Sequence, residues 1–218
     1  VMSVMNGFRQ ELLTRILGIN GHLKIYGVEE KLKNYDTLSS KIAKLDGVIK
    51  VTPIIEGQVL ASSNGQSTGV LVRGLAPKDL FARKMLADNI QAGNLKTFKE
   101  TGGVLIGTWL AKNLKLTVGQ KITLISPKGK VTAFGTVPRI RSYTIAGLFN
   151  IGMHEYDSSF VFMPLNSAQK YFLLPEAVNY LDVVISNPDA PHNTLHPNSL
   201  LQYLQTRSAH PPQDCHKN

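Results

Sequence analysis

The residues whose types could do chemistry together stand side by side in Met153-His154-Glu155-Tyr156-Asp157-Ser158-Ser159. An imidazole, carboxylates and hydroxyls are the groups of nucleophilic and acid–base catalysis. Those groups work when distant segments bring them together in space, and adjacency along one segment does not supply that geometry. A metal site built from His154 with Glu155 or Asp157 lacks recognised ligand spacing. The run is therefore expected to be a polar loop between two strands.

Two other stretches fail similar tests. Gly102-Gly103-Val104-Leu105-Ile106-Gly107-Thr108 is glycine-rich, but a phosphate loop needs a lysine after its last glycine, and Trp109 follows here. Its glycines flank a strand, with Thr108 a candidate helix cap. The C-terminal tail holds His192, His196, His210 and His216. Pro191 and Pro197 keep the first two from sharing a helix face, so no ligand pair forms by helical spacing. Cys215 is the single cysteine, which leaves no disulfide and no thiolate cluster. No catalytic residue, metal or cofactor is assigned.

The segment that stands out is Pro127 to Tyr143, between two good strands. It carries Lys128, Lys130, Arg139 and Arg141, no acidic residue, and apolar Val131, Phe134, Val137 and Ile140 among them. A loop this long inside a compact domain usually serves a function or is disordered. It can be a solvated hairpin extension or a hairpin that docks a partner through backbone pairing and apolar anchors.

The elements around these stretches read as follows. Apolar residues at Val1, Val4, Met5, Phe8, Leu12, Ile16 and Leu17 keep helical spacing, with Gly18 as the stop and Asn20-Gly21 as a turn. That helix either packs on the core or continues a membrane helix. His22 to Tyr26 is a strand, and Asp36 to Leu45 a helix capped by Asp36 or Thr37. Val48 to Thr52 and Ile54 to Ala61 are strands interrupted at Pro53, and Asn64-Gly65 is a hairpin turn before Gly69 to Gly74. The first third is thus a small β-α-β-β unit. A second unit follows: a helix over Lys78 to Leu86, a strand at Val104 to Gly107, a helix over Thr108 to Leu114, and strands at Lys121 to Ser126, Ser142 to Phe149 and Ser159 to Met163. A helix over Asn166 to Phe172 and a strand at Tyr180 to Ser186 complete it. Beyond Asn187 the chain is expected to lie outside the core.

The 218 residues are 43% hydrophobic and 18% charged, with a formal charge of +9. This composition suits a folded domain. The cations are scattered and not interleaved with stacking aromatics, which argues against a nucleic-acid binder. No run reaches the roughly 18 apolar residues of a membrane span.

Several motifs together resemble the lipoprotein-releasing permeases of the LolC/LolE type. They are the opening Val1-Met2-Ser3-Val4-Met5-Asn6-Gly7-Phe8-Arg9 with Ile16-Leu17-Gly18-Ile19-Asn20-Gly21-His22; Leu105-Ile106-Gly107 with Leu110-Ala111; Ile122 to Pro127; Phe134-Gly135-Thr136-Val137-Pro138; and Met153 to Ser158. The match runs to about Asp189. The resemblance implies an α+β, MacB-like periplasmic domain with an α/β porter subdomain and an inserted, mainly β sabre subdomain. It divides the chain into a juxtamembrane helix (1–21), porter (22–76), sabre (77–175) with a hook loop (127–143), a porter strand (176–189) and a non-matching tail (190–218). The implied function is non-enzymatic: the domain belongs to an inner-membrane ABC permease and stands in the periplasm. The implied partners are a separate ATPase subunit (LolD-like), a partner permease or second copy, lipoprotein cargo and a periplasmic carrier (LolA-like). A MacB-type efflux or cell-division permease domain, without carrier binding, is the alternative. On the hook, the resemblance assigns carrier binding to Pro127, Lys130, Phe134, Gly135, Thr136, Val137, Pro138, Arg139 and Arg141.

Overall fold

The computed structural model describes residues 19–27, 31–132 and 135–186. The helix expected over the first seventeen residues and the tail beyond 186 lie outside them. Ile19 itself is helical, one residue past the stop expected at Gly18.

Eleven strands appear among the described residues: β1 (Leu23–Tyr26), β2 (Leu32–Lys33), β3 (Val48–Ser63), β4 (Gln66–Leu75), β5 (Ile90–Gly93), β6 (Val104–Gly107), β7 (Lys121–Thr132), β8 (Gly135–Phe149), β9 (Phe160–Pro164), β10 (Ala177–Val178) and β11 (Tyr180–Ile185). Nine form one mixed sheet in the order β1-β11-β3-β4-β9-β6-β8-β5, with β7 pairing both β3 and β8. Its pairings close a circuit, β3-β4-β9-β6-β8-β7 and back to β3. Two of these pairs, β4 with β9 and β6 with β8, are parallel. The two-residue strands β2 and β10 pair apart from the sheet. The architecture is α+β.

Both sheet faces are covered, and the period-2 alternation of strands sorts the residues between them. Val104, Ile106, Ile145, Val161 and Met163 enter one core, which helices α5 (Thr108–Leu114) and α7 (Leu165–Phe172) help to build through Leu110, Leu114, Ala168 and Tyr171. The intervening Leu105, Ala146, Phe160 and Phe162 enter the other, with Leu80, Leu86 and Phe98. Leu80, Leu86 and Phe98 come from three short helices, α2 (Pro77–Phe81), α3 (Lys84–Ala87) and α4 (Leu95–Thr101).

Several local expectations are corrected. Pro53 does not interrupt a strand: β3 runs through it, pairing Pro53 with Leu181. The single helix over Lys78 to Leu86 is two, parted at Arg83, whose φ −88° and ψ 86° are not helical. The first described helix, α1 (Tyr35–Ile42), starts after Asn34 in the left-handed region, so neither Asp36 nor Thr37 caps it. Gly107, not Thr108, is the cap of α5. The 153–159 run is not a loop but helix α6 (His154–Ser159), with Asp157 buried. The Asn64-Gly65 turn is as expected: both residues have positive φ, 49° and 75°, the requirement of a two-residue hairpin turn.

Candidate functional site

The 127–143 segment is not an irregular loop. β7 and β8 continue as a ladder to Thr132↔Gly135. Its register jumps from Ser126↔Arg139 to Lys130↔Val137, so Pro127, Lys128 and Gly129 together oppose Pro138. Neither proline has an N–H to give the ladder, and a bulge is the result. The β3–β7 ladder also stops at Leu60↔Ile125, two residues short of Pro127. Beyond that point the hairpin leaves the sheet.

Pro127, with Ser126, forms part of the wall of a 540 Å³ groove whose other walls include Gly57, Gln58, Phe172 and Leu174. Lys130, Gly135 and Thr136 are placed by their pairing with Val137, Thr132 and Val131. Phe134 lies outside the described residues. Val137 and Pro138 are exposed, Val137 to 56%. Arg141 is exposed as well. Ile140, 60% exposed, pairs with Ile125, which pairs in turn with Leu60, so an apolar row crosses three strands on one face.

Arg139 behaves differently from Arg141. Its Nη1 donates to the carbonyl of Tyr171, in the last turn of α7. The negative end of the helix dipole favours a cation there. Tyr143, four residues on and on the same face, meets the Tyr171 ring edge-on at 5.9 Å. Burial pushes the Tyr143 phenol pKa up, while Arg141 and Arg139 pull it down. Arg139 thus ties the hairpin base to the body of the domain.

The polar run at 153–159 assembles no catalytic group. Asp157 accepts the backbone N–H groups of Ile151 and Gly152 at 2.9 and 3.1 Å, and so holds the turn before α6. Burial raises its pKa against the pull of those hydrogen bonds. His154 packs edge-on against Trp109 at 5.2 Å. The spacing G-x-S-x-G occurs at Gly65 to Gly69, but Ser67 sits in a hairpin strand and bonds Ser62 Oγ at 2.9 Å. A nucleophile elbow needs a strand-to-helix turn, which that position lacks. Among the described residues no three His, Cys, Asp or Glu side chains converge on a metal position. No helix among them is long and apolar enough to cross a membrane.

Sequence reading missed one constellation. Arg73, 3% exposed, meets Glu56, and Arg83 meets the buried Asp182. The available signal was a lone cation in the apolar run Val70-Leu71-Val72-Arg73. A buried charge must have partners.

Comparison with known proteins places this geometry. The family described as MacB-like periplasmic core domain matches residues 1–194. The lipoprotein-releasing system transmembrane protein LolC of Neisseria meningitidis serogroup B is 29% identical over 189 residues, 86% of this chain and 46% of that protein. LolE of Haemophilus influenzae is 21% identical over 197 residues, 88% of this chain and 47% of its own length. The chain therefore spans about half the length of these curated relatives. The periplasmic region of MacB from Actinobacillus actinomycetemcomitans superposes with a TM-score of 0.52 at 16% identity, covering 85% of this chain and 76% of that one, a likeness of fold.

Proposed function

This chain belongs to the family of MacB-like periplasmic core domains, and from that premise we propose that it is the periplasmic part of a lipoprotein-releasing permease. It converts motion driven by a separate ATPase into lipoprotein extraction from the inner membrane. The β7–β8 hairpin docks the periplasmic carrier that receives the cargo. On this reading the porter part (22–76 with 176–189) and the sabre part (77–175) are joined where β3 and β4 pair with β7 and β9. The partner permease is a relative or a second copy. The domain performs no chemistry of its own.

The observation that carries the docking role is the hairpin itself. It leaves the sheet beyond Leu60↔Ile125 and presents exposed Val137, Pro138 and Ile140 beside Arg141. Apolar anchors give a docking edge its affinity, and a surplus of cations steers an acidic partner onto it.

The test replaces 130–138 with Gly-Ser repeats, leaving Arg139 in place, and measures capture of a LolA-type carrier alongside the thermal melt. Loss of capture with an unchanged melt is the expected result. Undiminished capture would sink the docking role and favour a MacB-type efflux or cell-division permease domain.

A further inference from the structure

The densest buried polar chemistry among the described residues lies away from the hairpin, where the chain joins the sheet. Three consecutive residues, Ile19, Asn20 and Gly21, are gripped there from four sides. From β4, Arg73 Nη1 donates to Asn20 Oδ1 at 3.0 Å and to the Ile19 carbonyl at 3.4 Å. Arg73 is itself oriented by Glu56 of β3, with Nε and Nη2 at 2.7 and 2.6 Å from Oε2, and by the Phe160 ring beneath it at 5.1 Å. From the turn between α2 and α3, Arg83 Nη1 donates to the same Ile19 carbonyl, while its Nη2 meets Asp182 Oδ2 at 2.8 Å. From β11, both Asp182 oxygens accept the Gly21 N–H, at 2.8 and 2.9 Å. From α6, Tyr156 accepts Asn20 Nδ2 at 2.8 Å.

The grip is on main chain and is closely fitted. A Cβ on Gly21 would lie 2.7 Å from Asp182 Oδ1 and from the Val183 carbonyl. The Ile19 side chain, 2% exposed, is buried in the second core below. Apolar packing alone would hold Ile19 but let it slide. Two guanidinium groups on one carbonyl, each fixed by its own carboxylate, set direction as well as position. Burying such charges has a desolvation cost that stability does not require. β3, which supplies Glu56, pairs β11 at one end and β7 at the other, so the grip and the hairpin share one strand.

We propose that Ile19–Gly21, held by Arg73, Arg83 and Asp182, is a force-transmitting joint through which displacement of the preceding chain moves the sheet, with its hairpin, as one body. This rests on the proposal that the preceding segment is driven from the membrane. Arg73 and Arg83 are positioning residues in it.

The test pulls the full chain by single-molecule force spectroscopy, between its N-terminus and the thiol of Val137→Cys, with Cys215→Ser to keep that handle unique. The unaltered joint should transmit load until the sheet itself gives way. Arg83→Gln should add an earlier step in which 19–27 peels off while the rest of the sheet holds, and Arg83→Lys should restore only part of the resistance. Asn20→Ala, which keeps both ion pairs, is the second variant should Arg83→Gln not fold, and it too should peel early. Traces of these variants indistinguishable from the parent would overturn the joint. No carrier is present in the experiment, so its outcome is independent of the docking role.

Discussion

Arg73 and Glu56 face each other as register partners on β4 and β3, Nη2 to Oε2 at 2.6 Å, with the arginine side chain only 4% exposed. Tyr180 donates a further hydrogen bond to the same oxygen at 3.0 Å. Arg73→Met strands a half-buried carboxylate, and removing one partner of a buried pair costs about 3–5 kcal/mol. For a domain of this size the melting temperature should fall by about 10 °C. Arg73→Met with Glu56→Leu should melt higher than Arg73→Met alone. Circular-dichroism melts decide it, and equal or greater loss in the double variant would refute the stranded carboxylate as the source of the cost.

Gly74 is a packing requirement. A Cβ there would lie 2.2 Å from the Ala168 Cβ on α7. Gly74→Ala should destabilise by about 1–3 kcal/mol through overpacking. Adding Ala168→Gly should relieve the clash, leaving a helix-propensity cost of about 1 kcal/mol. Urea titrations of the four chains measure the coupling, which strict additivity would refute.

Burial holds the phenols of Tyr171 and Tyr180 above the usual tyrosine pKa. Their contribution to stability is therefore fully present below about pH 10, where unfolded tyrosine ionises, and is lost as pH rises through the higher folded values. Stability should fall along an alkaline limb starting near that pH. The Tyr171 hydroxyl is buried with no hydrogen-bond partner among the described residues. Tyr171→Phe should consequently leave the neutral-pH melt unchanged or higher and make the alkaline limb shallower. A large loss at neutral pH would contradict this account.

Arg139→Gln removes the tie between the hairpin base and the Tyr171 carbonyl. Amides of 137 and 139–141 should exchange faster, carrier affinity should drop, and the melt should hardly move. Arg141→Gln, lacking such a tie, should weaken carrier binding without changing exchange. Identical exchange in both variants would return Arg139 to the role of a steering cation.

The hairpin turn at Asn64-Gly65, the strands around it and helix α5 were legible because their signals are local. The 127–143 segment was legible as unusual, yet its ladder was not: the bulge depends on which residues of β7 face Pro138. The buried network was the least visible. Glu56 and Asp182 gain their meaning from Arg73 and Arg83, and spacing along the chain does not encode those pairings. The 153–159 run misled in the other direction. Its polar residues are consumed by a turn and a helix, with Asp157 serving backbone amides.

Gly21 and Asp182, joined directly in the fold, stand 161 residues apart in the chain. β1, with Leu23 and Ile25 to bury, is synthesised well before β11, its strand partner among the described residues. At about 5–20 residues per second that interval is on the order of ten to thirty seconds. Throughout it β1 is an edge awaiting its partner, and whatever accompanies the nascent chain must shield it until β11 has been made.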